Sequence, residues 1–458
     1  MFNEVIKRMS KKAPAAVLFR SLFARVFSDE CIDRIFREHK QRQVDGDLLF
    51  SSLIRLLTPV ISGSLPAVHS SYQEMEEEIG VSHQAVYDKL RGVETPVCEA
   101  LVRIPGLDLA KVRKQSKTLG RDPIPGYHTF IIDGKRLDAT EHRLPETRAM
   151  KSAPLPGTVL GLLDMRLEMF VNIVCHPDAY VCERKIVQPL LTSIPKGGLV
   201  LVDRNFCDGP LIGDFLRAEL YFVVRHHGRS PRWRKIAGCR RIKVGQNARG
   251  GTAYEQEIEV LLPGGVWYRV RRITIQLVEP TRDGDTELHL LSNLPSSVSA
   301  LTIADTYAER WTIETCLEYL AQSLNAEINT LAYPGAALLC FSLALTLYNM
   351  MSTLKALLLK FSTASQKPDL SYYYLALEIS RTCWAMMNLF DSKYWIQYAR
   401  MSDAQYVDYC KAIAENANLR RYRKHARGPK RPPPKRISGK RRPHVSTHRI
   451  LEARKVTA

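Results

Sequence analysis

The sequence contains no Cys-x-x-Cys pair, and its ten cysteines and twelve histidines form no quartet with zinc-finger spacing. The nearest approach, Cys175–His176 with Cys182 and Glu183, matches no established zinc pattern. Serine or cysteine nucleophile chemistry has little support, because the His226–His227 pair has no nucleophile at a recognisable spacing. No internal repeat is visible. The opening MFNEVIKRMSKKAPAA lacks the apolar core and cleavage site of a signal peptide, so a reduced, cytoplasmic protein with free thiols is expected. Long apolar runs are scarce too. Residues 336–351 read AALLCFSLALTLYNMM, which at 16 residues falls short of the roughly 20 needed to span a bilayer. The run carries Ser342, Thr346 and Asn349, and a buried core helix is expected.

Acids are missing from two stretches. Residues 225–250 hold nine Lys or Arg and no acid, and residues 420–458 hold fifteen with a single acid, Glu452. Over the whole chain 66 Lys and Arg face 47 Asp and Glu, a net charge of +19, so these stretches carry more than the entire excess. Concentrated basic segments on a near-neutral body point to a polyanionic partner. The rest of the composition, 45% apolar and 25% charged over 458 residues, is that of a globular chain. It excludes a wholly disordered, collagen-like or coiled-coil protein. Roughly two to four domains are expected at this length.

Residues 1–120 read as a helical N-terminal domain. Residues 48–57 are apolar at helical spacing, with Pro59 as the stop. In residues 71–94 a helix with Met75 and Ile79 inward ends at Gly80, and Ser82 caps a second helix carrying Ala85, Val86 and Leu90. That spacing is compatible with a DNA-binding helix-turn-helix exposing His83, Gln84, Tyr87 and Lys89. Residues 121–225 alternate between strands and helices, which indicates an α/β layer. The strands are 127–133, 157–165, 167–175, 197–203 and 221–225; the helices are 183–191 and 208 to about 219. Residues 226–299 carry strand-like runs between Gly-rich and Asp-Gly turns, a β-rich insertion. Helices return over 300–360 and 361–418. Residues 419–458, containing GPKRPPPKRISGKRRP, read as a basic disordered tail.

Two apolar strands of the α/β layer run into acids, FII into Asp133 and LVLV into Asp203. Sites in such layers gather at strand ends. Asp133 is followed by Gly134, Lys135 and Arg136, and Asp203 by Arg204 and Asn205; acids beside cations fit a site for metal and phosphate. Either acid alone reads more readily as the start of a loop. A third comes from residues 305–320, DTYAERWTIETCLEYL. On a helix Tyr307, Arg310 and Glu314 stand at i, i+3 and i+7 and share a face, while Trp311, Leu317 and Leu320 form a separate apolar set. A surface ion pair of Arg310 and Glu314 is the simpler reading of that spacing.

The pattern Tyr-x2-Arg-x3-Glu resembles the signature of the insertion-sequence-four family of DDE transposases, bacterial enzymes with Asp, Asp and Glu on a ribonuclease-H-like fold. FIIDGKRLD resembles the strand of their first acid and nominates Asp133. LVLVDRNFCD resembles that of the second and nominates Asp203. The Tyr/Arg/Glu motif nominates Glu314. Some members insert a β-domain between the second Asp and the Glu, where residues 226–299 fall. The resemblance covers roughly residues 125–350. It departs where the family pattern continues to a Lys, a position held here by Ala321 and followed by Gln322. The phosphate contact of that Lys then falls to Arg310, Tyr307 or another basic residue, or the copy is inactive.

The resemblance implies metal-dependent cleavage at transposon ends, strand transfer by the freed 3′-OH and a hairpin intermediate. It implies two Mg²⁺ or Mn²⁺ ions about 3.5–4 Å apart. Asp133, Asp203 and Glu314 would supply their hard oxygen ligands, with Asp133 shared. Arg310 would bind a phosphate near the cut and Tyr307 would position the same strand end. Lys135, Arg136 and Arg204 would add DNA contacts. A hairpin needs a base moved out of the stack against an aromatic group. Trp233, in the basic run RSPRWRK, suits that role better than Trp267. The tail would add salt-dependent affinity. The implied partners are double-stranded DNA, as terminal repeats and target, and a second copy of the chain, in the bacterial cytoplasm at the nucleoid. Two other readings use the same residues: a transposase-derived DNA-binding protein with a dead site, and a ribonuclease-H-like endonuclease without strand transfer.

Overall fold

The computed structural model describes residues 2–457 apart from 45, 229, 282–283, 364–366, 426–427 and 429–443. The chain begins with helices α1 (Phe2–Lys12), α2 (Pro14–Val26), α3 (Asp29–His39), α4 (Phe50–Ile61), α5 (Val68–Ile79), α6 (His83–Gly92) and α7 (Thr95–Gln115). Strands and short helices follow: β1 (Thr129–Arg136), β2 (Ala153–Leu155), β3 (Thr158–Asp164), β4 (Met169–His176), α8 (Glu183–Ile186), α9 (Gln188–Leu191), β5 (Leu199–Val202), α10 (Gly209–Arg217) and β6 (Tyr221–His226). Next come β7 (Trp233–Lys235), β8 (Ile242–Gln246), β9 (Thr252–Leu261), β10 (Trp267–Gln276) and β11 (Glu287–Ser292). The chain closes with α11 (Ala300–Ala308), α12 (Trp311–Ser323), α13 (Pro334–Phe361), α14 (Tyr372–Leu389), α15 (Ser392–Arg400), α16 (Asp403–Ala414), β12 (His444–Ser446) and α17 (Thr447–Thr457).

The fold is mixed α/β around a mixed sheet, consistent with a ribonuclease-H-like core. Its strand order is β4-β3-β1-β5-β6-β11-β10-β9-β7, with β8 also on β9. β1, β3 and β4 are antiparallel neighbours, whereas β5 and β6 run parallel to β1. The fully apolar LVLV of β5 is the interior strand of that parallel set and is buried throughout. The β-rich residues extend this same sheet, because β11 pairs with β6 from His289↔His226 to Ser292↔Val223.

Apolar layers cover both faces. One holds α9 and α10 against β1, β3, β5 and β6, through Leu190, Ile212 and Phe215. The other is a continuous core of the N-terminal helices, the sheet and α13 to α16, including Leu18, Leu57, Phe170, Leu343 and Tyr406. α13 is long and apolar enough to cross a membrane, yet its apolar window is wholly buried in this core. Its polar residues have partners there. Thr346 donates to Leu101 O at 2.9 Å, and Asn349 bonds both backbone groups of Phe170 at 2.8 Å.

Several local expectations change. Pro59 lies inside the last turn of α4 rather than stopping it, since a proline removes only its own donor and a final turn can carry it. The single helix expected over 183–191 is two short ones, interrupted before Pro189, whose ring has no N–H and crowds the preceding turn. Gly80 and Ser82 act as read: Gly80 closes α5 at φ 65°, and Ser82 accepts the Ala85 N–H at 3.3 Å. Of the residues expected to face DNA, only Gln84 is exposed. His83 packs against His69, Tyr72 and Tyr87, and the Lys89 ammonium lies over the Phe36 ring. The expected disordered tail falls partly outside the described residues. Its end is ordered: β12 pairs in parallel with β2, and Arg449 and Arg454 on α17 pair with Asp178 and Glu146. Tail composition hid this segment, because its strand gains a ladder only from a partner some 290 residues earlier.

Candidate active site

β1 and β5 pair in parallel as far as Ile132↔Val202. The next residue on each strand is an acid, Asp133 and Asp203, and neighbouring strands lie about 4.8 Å apart. β5 ends there. Asp203 turns the chain into a short helix by accepting the Asn205 N–H. β1 does not end at Asp133, as expected from sequence, but continues to Arg136 on its β3 partner. The site therefore sits where two parallel strands part, not where both stop.

Tyr307, Arg310 and Glu314 are not on one helix. α11 closes and α12 opens around Glu309–Arg310, where N–H groups reach back three residues, as from Arg310 to Tyr307 O at 3.1 Å. The break puts Arg310 at the junction, 7% exposed. Its Nη1 donates to Asp133 Oδ2 at 3.0 Å and its Nη2 to Glu314 Oε1 at 2.6 Å. The pair with Glu314 is thus part of a buried bridge rather than a surface i, i+4 contact. Tyr307 is buried below it, with the guanidinium 5.9 Å from its ring. The apolar set of α12 is Ile313, Cys316 and Leu320; Trp311 is outside it, largely exposed beside Arg310. Ala321 is exposed on α12.

The charges do not cancel. Burial pushes the Asp133 carboxyl up to about 7; Arg310 opposes this, while Asp203 and Glu314 add to it. A buried carboxyl crowded by two others is a place where a cation relieves charge. Oxygen donors suit a hard divalent ion. The chemistry of the donors therefore fits such a metal. As arranged, the guanidinium stands between Asp133 and Glu314, and among the described residues no three His, Cys, Asp or Glu side chains converge as a ready-made metal cluster.

A cavity of about 1210 Å³ opens beside the acids, lined by Gly134, Arg136, Glu183, Arg204, Arg225 and His227 among others. Lys135 lies on its wall, paired with Asp138 and Glu327 at 3.2 Å each. Arg136 stacks on Tyr180 at 5.1 Å. Arg204 follows Asp203 on the same wall. Trp233 is not brought to the acids. It packs at the end of β7 against His226, under the Arg272 guanidinium at 4.7 Å.

Residues 125–350 match the family model of the transposase DDE domain. No curated protein matches the chain. The DDE segment contains the three nominated acids, Arg310 and the cavity.

One acid was missed from sequence. Glu183, at the start of α8, rests its carboxylate against Gly134, so closely that a methyl group there would overlap it. Burial raises its carboxyl, Asp203 raises it further and Arg136 opposes. The only sequence signal was Gly134 itself, a residue without a side chain next to a nominated acid, and that does not say which segment approaches.

His226 gives a pH prediction. It is 2% exposed, and neither ring nitrogen has a partner among the described residues. Burial first, then Arg272, lowers its pKa to about 3. The folded protein thus holds the neutral imidazole. That stability is complete above the unfolded value near 6.5 and is lost as pH falls toward 3. Between pH 7.5 and 5 the loss from this group is about 2 kcal/mol. Urea unfolding of wild type and His226→Phe across that range should show the wild type losing more by that amount; parallel curves would refute the assignment.

Proposed function

We propose that this protein is an insertion-sequence transposase of the insertion-sequence-four kind. It cleaves DNA at the ends of its element and joins the freed 3′-OH to target DNA. The observation that carries the reading is the meeting of Asp133, Asp203 and Glu314 around Arg310 inside the segment that matches the transposase DDE domain.

Mg²⁺ or Mn²⁺ ions held by Asp133, Asp203 and Glu314 would activate the attacking water or 3′-hydroxyl and stabilise the leaving oxygen. The chain's own contribution is position. β1 and β5 hold two of the acids on rigid elements, and α12 brings the third. Arg310 carries a buried Nε with no partner among the described residues, a donor for a phosphate oxygen next to the cut. Tyr307 backs that guanidinium. Arg136 and Arg204 line the path of the DNA strand into the cavity, whose volume suits an extruded nucleotide. A hairpin intermediate would use that space, with Trp233 as its aromatic support. Cutting two ends together calls for a homodimer. The Lys- and Arg-rich tail adds sequence-independent affinity for double-stranded DNA. The work is done in the bacterial cytoplasm, at the nucleoid.

The test needs no knowledge of the ends. The DNA flanking this gene is placed on both sides of a marker, the protein is supplied in trans, and excision is read by amplification across the donor site. Excision with the wild-type protein is expected. Its failure from a folded protein that still binds the flanks would favour the dead-site DNA-binding reading, for which Ala321 is the motivating feature.

A further inference from the structure

The acid centre is neutralised unevenly. Arg310 bridges Asp133 and Glu314. Asp203 and Glu183 take no part in that bridge. Among the described residues, Asp203 accepts the Asn205 N–H and has no ion-pair partner, and Glu183 has neither a hydrogen bond nor an ion pair. Yet Glu183 is half-buried, seated on Gly134 and close enough to Asp203 for the two to repel. An acid at the start of a helix is usually content in solvent, where the peptide dipoles alone favour it. Nothing in that role requires the carboxylate to turn inward onto β1, toward another carboxylate. Two half-buried, like-charged oxygens beside each other are costly unless a cation sits between them.

We propose that Glu183 is a fourth oxygen donor of the acid centre, holding a divalent cation together with Asp203. The proposal rests on the reading of Asp133, Asp203 and Glu314 as the DDE acids, and it assigns a metal-binding role to a residue outside that set. Gly134 is part of the arrangement, because any side chain there would displace the Glu183 carboxylate. Two carboxylates with room for water match the needs of Mg²⁺ or Mn²⁺, which keep several waters and take few protein oxygens.

The experiment titrates the full-length protein with Mn²⁺ alone and reads free ion by electron paramagnetic resonance. Glu183→Gln is expected to weaken Mn²⁺ binding about tenfold or more, as Asp203→Asn does. Gly134→Ala, which keeps every acid but pushes the carboxylate aside, is expected to do the same. If Glu183→Gln binds like wild type while Asp203→Asn does not, the proposal is overturned and the DDE reading stands. If Asp203→Asn also binds like wild type, or if the wild type binds no Mn²⁺, both fall. Should Glu183→Gln fail to fold, Gly134→Ala decides: unchanged affinity overturns the proposal, and a loss supports it.

Discussion

Asp203→Asn, Asp133→Asn and Glu314→Gln should each lower DNA cleavage by at least about a thousandfold while leaving DNA binding within a fewfold of wild type. Each change keeps the shape of the side chain and removes one negative charge. A metal-carboxylate centre loses several kcal/mol of transition-state stabilisation when a ligand is neutralised, and about 4 kcal/mol corresponds to that rate loss. DNA affinity rests instead on the basic residues around the cavity and in the tail, which these variants retain. The Asp133 variant carries an additional signature. Its carboxyl is raised to about 7 by burial and by its acidic neighbours, against the unfolded value near 4. The stabilising form is the protonated one, so the group's contribution is present at low pH and lost as pH rises through 7. Asp133→Asn should therefore be no less stable than wild type at pH 8, with the comparison turning toward wild type as pH falls to 4. Strand-cleavage rates on an end-containing duplex, with urea unfolding at both pH values, check this. Retained cleavage in any of the three would remove that residue from the centre.

Asn349→Leu should cost about 3 kcal/mol of folding stability, a large effect for one buried side chain. β4 is the edge strand of the sheet, and its outer backbone groups face helices rather than another strand. Asn349, fully buried on α13, donates to Phe170 O and accepts from Phe170 N, both at 2.8 Å, in the manner of a strand residue. Glu99 on α7 takes the Cys175 N–H at 2.8 Å farther along the same edge. Leucine of similar volume leaves both Phe170 groups buried and unpaired, each costing about 1–3 kcal/mol. Asn349→Asp keeps the acceptor and loses the donor, and it too should destabilise. The urea midpoint measures it; a leucine variant within about 0.5 kcal/mol of wild type would show that water or a backbone shift pairs those groups.

The two acids on β1 and β5 were legible because an apolar run that must be buried fixes the strand, and the first polar residue after it marks where the strand leaves its partner. The order Asp, Asp, Tyr-x2-Arg-x3-Glu carried the resemblance, and the matched residues 125–350 coincide with the extent read from those motifs. Periodicity also separated the buried α13 from a membrane span, through the polar residues that now prove to be paired.

What sequence could not supply is which distant segments meet. Spacing put Tyr307, Arg310 and Glu314 on one face of one helix. The tighter turns at Glu309 and Arg310 instead split that helix and drive the guanidinium inward to Asp133, 177 residues away. Local pattern likewise made His83, Tyr87 and Lys89 solvent-facing, whereas α5 and α3 supply the rings that bury them. Glu183 meets Gly134 only through the crossing of α8 over the end of β1. Sequence alone determined the burial pattern, the strand and helix alternation and the acids as candidates, because these follow from residue type and period. Only the tertiary structure decided the company each acid keeps, because charge and hydrogen-bond partners are set by contacts between segments that the chain brings together from far apart.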